Sequence, residues 1–223
     1  MLGFKPLVLF KLVIIIFFSV FKTAIANNDK ITALAESYAN LVHHYYNEVA
    51  LKTISLDKAI ILFLENPNEA TLKVAKTNWI AARKVYGITE AFRFYGGPID
   101  GINEYGEEGP EGLINAWPLN EAYIDYVNGN PDSGIINNLS YTVDGKSIIA
   151  SNMSEDDADV STGWHAIEFL LWGQDSSLET TGTRKAQDYL PGDPFKERRR
   201  TYLKEVSSLL LEHINWLNAQ WSN

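Results

Sequence analysis

The stretch LKVAKTNWIAARKVYGITEAFRF, residues 72–94, decides the fold class. Leu72, Ala75, Trp79, Ala82 and Tyr86 recur at steps of three and four, the spacing that brings apolar side chains to one face of an α-helix. A long helix follows, continuing to about Phe94, with Asn66 as its expected N-cap and Pro67 as its first residue. The same spacing recurs upstream in Ile31, Leu34, Tyr38, Leu41, Tyr45 and Val49, which predicts a buried face on a first helix capped by Asn27, Asn28 or Asp29. Ser55 is expected to open a shorter helix through Leu64. Downstream, Pro118 is expected to restart a helix, PLNEAYIDYVNGN, that ends at Gly129. Ser154 opens another, whose early acids suit the positive end of a helix dipole and whose C-cap is Gly173. Asp193-Pro194 starts the last helix, which runs to about Gln220 with Phe195, Tyr202, Val206, Leu209, Leu210, Ile214 and Leu217 on its apolar side. The segment 135–150 is left unassigned. No run alternates with the two-residue period of a strand. The expected fold is all-α, an antiparallel helix bundle in one domain.

The first 26 residues have a different character. An apolar block from Pro6 to Phe21, broken only by Lys11, precedes Lys22 and a small-x-small sequence, Ala24-Ile25-Ala26. This predicts a signal peptide over residues 1–26 and a domain over 27–223 of about 197 residues, enough to bury a sizeable core. The chain has no cysteine, so no disulfide supports it. Its formal charge of −9 becomes −12 once the three lysines of the leader are removed. Such a balance argues against nucleic acid, whose phosphates require clustered lysine and arginine, and leaves membrane contact to the leader alone.

Chemistry is concentrated in STGWHAIEFLLWGQD, residues 161–175. His165 and Glu168 are three apart, so both face one side of a helix flanked by Trp164, Ile167, Phe169, Leu170, Leu171 and Trp172. An ionised glutamate in oily surroundings costs several kcal/mol unless it is paired or coordinated. Gly163 precedes the pair, where a neighbouring backbone can approach closely. A metal needs three or four protein ligands, and acids elsewhere are candidates. Glu121 and Asp125 lie four apart, although a solvated face explains them equally well. Glu90 shares a helix face with Arg83, and the two suit a structural ion pair. Asp100 sits in the glycine-rich loop GGPIDGINEYGEEGPEG, residues 96–112. His43, His44 and His213 read as surface or boundary residues. No HExxH, GxSxG or GKS/T motif occurs, and no calcium loop fits after Asp100.

GWHAIEFLLWGQD resembles the GxHxxE signature of the imelysin family, and NWIAARKVYGITEAFRFYGGPID and AWPLNEAYIDYV are similar to its other characteristic segments. That family includes iron-regulated proteins and the peptidase-M75 domains of iron-uptake components. The resemblance implies an all-helical protein exported to the periplasm or cell envelope of a bacterium. It implies a site of Gly163, His165 and Glu168 joined by Glu90 and Asp100, with Glu121 and Asp125 as a further match. It also implies a domain that continues past Asn223. One imidazole with several carboxylates suits iron, and also zinc. Three functions follow as expectations. The first is metal binding, with an envelope iron-uptake component as partner. The second is a metallopeptidase with Glu168 or Glu90 as base and His213 as a further ligand. The third is a metal-free network of Arg83, Glu90, His165 and Glu168 that binds a peptide or glycan in the glycine-rich loop.

Overall fold

The computed structural model describes residues 6–175, 179 and 181–222, with side chains from residue 28 onward. Its helices are α1 (Pro6–Glu65), α2 (Glu69–Thr89), α3 (Glu111–Ile114), α4 (Glu121–Ile124), α5 (Gly145–Ser151), α6 (Gly163–Trp172) and α7 (Pro194–Trp221). Two 3₁₀ turns, Glu90–Phe92 and Ala186–Tyr189, complete the regular structure. Among the described residues there is no strand, only two isolated bridges, Ile102 to Glu108 and Val127 to Asn130. The all-α class expected from the periodicity is the one observed. Also among the described residues, no helix is long and apolar enough to cross a membrane.

The chain divides into two units, Met1–Val42 and His43–Asn223. In the first, α1 runs straight through Asn27, Asn28 and Asp29, so these residues cap nothing. Ile31, Leu34, Tyr38 and Leu41 are exposed, which corrects the expectation of a buried face there. The predicted leader, residues 1–26, lies outside the described side chains.

In the second unit the expected break at Ser55 is absent. Ser55 Oγ donates to the Leu51 carbonyl and Thr53 Oγ1 to that of Val49, so both hydroxyls are satisfied within the continuing helix. Tyr46, Val49, Leu56, Ile60 and Phe63 are buried. The chain reverses through Asn66–Asn68, and Phe92 at the far end of α2 meets the rings of Tyr45 and Tyr46, so α1 and α2 are antiparallel. The N-cap is Asn68, two residues later than expected. Its side chain accepts from Ala70 and Thr71, and Thr71 returns a bond in a capping box. The buried stripe of α2 is the predicted one.

α6 is the central element and packs on both α2 and α7. It starts at Gly163, later than the expected Ser154. Residues 152–158 make turns instead, with the Asp156 carboxylate accepting the Ala158 N–H, while Asn152 Oδ1 accepts from the Ser161 N–H and Ser161 Oγ donates to the Ile148 carbonyl, which ties the chain before Gly163 to the end of α5. α7 begins at the Asp193 cap and buries Tyr202, Val206, Leu209, Leu210, Ile214 and Leu217 as expected, whereas Phe195 in its first turn is exposed. The expected helix from Pro118 to Gly129 shrinks to one turn, α4.

Candidate functional site

Gly163 fixes where the site begins. Its φ is 80°, and a Cβ there would lie 2.3 Å from the Ile114 carbonyl oxygen. Only glycine allows the first turn of α6 to rest against the end of α3. The close approach read from the sequence is therefore real, two residues before His165.

His165 Nδ1 lies 3.1 Å from Glu168 Oε2. The two side chains are 17% and 43% exposed, so Glu168 is not the buried charge that its apolar neighbours suggested. Both face a cavity of about 380 Å³ walled by Trp79, Trp117, Leu119, Phe169 and Trp172. The Trp117 ring leans on the imidazole at 4.8 Å between centroids, and the bond from Trp117 to Pro118 is cis. Trp79 donates its indole N–H to the Trp164 carbonyl and packs edge-on against Trp172, which ties the wall of the cavity to the backbone of α6.

Glu121 lines this cavity as well, as does Asp175. Burial pushes the Glu121 carboxyl above its ordinary value, while the Gln174 amide and Arg184 pull it back. Gln174 also accepts from the Asn128 N–H, so the residue just after Gly173 locks the loop following α4 to the end of α6.

The other sequence candidates are elsewhere. Glu90 pairs with Arg83 at 3.1 Å and lines a neighbouring shallow groove with Lys84 and Gly87. Asp100 accepts the Phe94 N–H inside its own loop. Neither lines the cavity of His165, and neither does His213. Asp125 is fully buried and its carboxylate is already taken. Arg199 holds it twice, at 2.6 and 2.9 Å, and Arg184 once, at 2.9 Å. It is neither a solvated residue nor a free metal ligand. Among the described residues no three or more histidines, cysteines, aspartates or glutamates form a group that could hold a metal. His165 and Glu168 are brought together, Glu121 joins their cavity, and the rest of the expected set disperses.

Sequence reasoning missed the arginines. Arg184 and Arg199 flank the Tyr126 ring at 4.6 and 5.1 Å, and Arg198 donates to the carbonyls of Ile135, Ile136, Asn138 and Tyr141. The run Arg198-Arg199-Arg200, three consecutive arginines that cannot all lie on the outer face of a helix, was the available signal, because a buried aspartate requires such partners. In comparison with known families, residues 42–223 match the family model described as imelysin, peptidase M75. No curated protein matches the chain.

Proposed function

The chain belongs to the imelysin family, and from that premise we propose that it is an exported metal-binding protein of the cell envelope, with iron as the cargo. His165 and Glu168 are the protein's two donors, and Glu121, on the wall of the same cavity, contributes a nearby acid rather than a third ligand. The observation that carries this reading is the 3.1 Å approach of His165 Nδ1 to Glu168 Oε2 at the wall of a cavity that Glu121 also lines. The donor set fits a borderline or hard cation: one imidazole and carboxylate oxygens. It is too sparse to enclose an ion, so ligands from outside the protein supply the remaining positions and the cargo stays releasable. Binding rather than peptide hydrolysis is favoured because His213, the third ligand that hydrolysis would require, is absent from the cavity lining. Glu90 and Asp100 take no part in this proposal.

The test is metal loading. The purified chain is equilibrated with Fe²⁺ under anaerobic conditions, and separately with Zn²⁺, then freed of excess metal and assayed for bound ion. The expected result is about one ion per chain, with at least a tenfold weaker Kd in His165→Ala/Glu168→Ala. Equal loading of the two proteins removes the proposal.

A further inference from the structure

We propose that the glycine-rich loop after α2, together with the C-terminal end of α7, docks a basic segment of a partner protein, bearing arginine or lysine. This rests on a different part of the molecule from the metal reading and stands without it. A cavity of about 350 Å³ lies here, lined by Gly97, Gly101, Glu107, Glu108, Trp216 and Gln220.

The loop is preformed. The Gly101 N–H donates to the Gly97 carbonyl at 2.7 Å and the Gly109 N–H to that of Gly101 at 2.8 Å. The Asn103 carboxamide oxygen accepts from the N–H groups of both Tyr105 and Glu107. A Cβ at Gly101 or Gly109 would come within 2.5 Å of the Gly96 carbonyl oxygen or 2.4 Å of the Ile99 carbonyl carbon, so these turns close tightly. A loop ordered in advance pays little entropy on binding.

The loop nevertheless holds large rings in water. Phe94 is 82% and Tyr105 80% exposed, and Tyr95 and Trp216 are exposed too. Phe94 has a φ of 69°, in the left-handed region that a non-glycine residue rarely adopts. The Asp100 carboxylate holds it there through the Phe94 N–H. Exposed aromatic clusters of this kind are typical of interaction surfaces.

Charge selects the partner. Glu107 and Glu108 line the cavity, Glu104 lies in the same loop, and no lysine or arginine occurs between residues 94 and 145. α7 has no basic residue in its last turn, so the partial negative charge of its C-terminal carbonyls is unopposed. The Arg93 guanidinium already lies 4.9 Å from the Phe94 ring, an example within the chain of the cation that such a ring accepts. The Trp216 ring and the Glu107 and Glu108 carboxylates line one cavity, and together they match the apolar stem and charged head of arginine or lysine.

The experiment titrates the full chain against a fluorescein-labelled nonapeptide of alternating arginine and glycine, and against its glutamate counterpart. Anisotropy is read at about 150 mM salt, where charges more than about 8 Å apart are screened. The arginine peptide is expected to bind at least tenfold more tightly than the glutamate peptide. Trp216→Ala, Tyr105→Ala and Glu107→Gln/Glu108→Gln should each weaken it at least fivefold, whereas Glu155→Gln/Asp157→Asn, exposed acids of another loop, should change it less than twofold. Tyr105 is too exposed for its loss to unfold the protein, so that variant reads docking alone. Equal binding of the two peptides, no binding of the arginine peptide, or an equal loss in the Glu155/Asp157 variant overturns the proposal.

Discussion

Gly163 sits where any side chain would enter the space of the Ile114 carbonyl. Gly163→Ala is therefore expected to cost roughly 2–4 kcal/mol, combining left-handed backbone strain with overpacking, and to lower the urea midpoint accordingly. His213 makes a different point. Burial lowers its pKa below the ordinary 6.5, with Glu212 opposing, and its Nδ1 is buried without a hydrogen-bond partner. The folded state thus prefers the neutral ring, while the unfolded chain takes up a proton below about pH 6.5. Stability is complete above that pH and falls as the pH drops through it toward the lower folded value. His213→Gln should flatten this part of the stability curve, as measured by urea unfolding between pH 7.5 and 5. At this scale the sequence was informative about near neighbours. His165 and Glu168 meet because three residues make almost one helical turn. Asp125 was misread because its partners stand 59 and 74 positions away, at Arg184 and Arg199, and no local spacing announces them.

Among the elements, α2 and most of α7 follow their stripes, whereas α1 before Val42 and the segment after Pro118 do not. α2 buries the residues its periodicity marks, and its start is set by the Asn68 capping box. Asn68→Ala should cost about 1 kcal/mol in a denaturant titration. The segment after Pro118 has helical spacing yet makes a single turn, because Asp125 leaves the helix to meet the arginines. That carboxylate joins the end of α4 to α7 and to the chain before the Ala186–Tyr189 turn. Asp125→Ala strands two buried guanidinium groups and is expected to destabilise by about 3–5 kcal/mol, seen as a lowered denaturant midpoint with cooperativity retained. The loop before α6 was likewise misjudged. Its acids suit a helix N-terminus, but Asp156 closes a turn on Ala158, and Asn152 and Ser161 tie the chain back to the end of α5.

For the whole molecule, His43–Asn223 contains the core and the candidate site, while residues 28–41 of the other unit are exposed except for the half-buried Ala39. Deleting residues 1–30 should shift the thermal midpoint by less than about 3 °C, since a loss of 1 kcal/mol corresponds to roughly 2–4 °C in a chain of this size. The apolar stripe of α1 before Val42 shows that amphipathic spacing measures what a helix is able to bury, not what lies against it. By itself the sequence determined the helical class, the buried face of α2 and most of that of α7, the close backbone approach at Gly163 and the shared helix face of His165 and Glu168. All of these depend on contacts within one or two helical turns, or on the steric freedom of a single residue. Only the tertiary structure decided which carboxylates share the cavity of His165 and which are consumed by arginines. That choice depends on loops between helices, whose paths are set by side chains more than fifty residues distant.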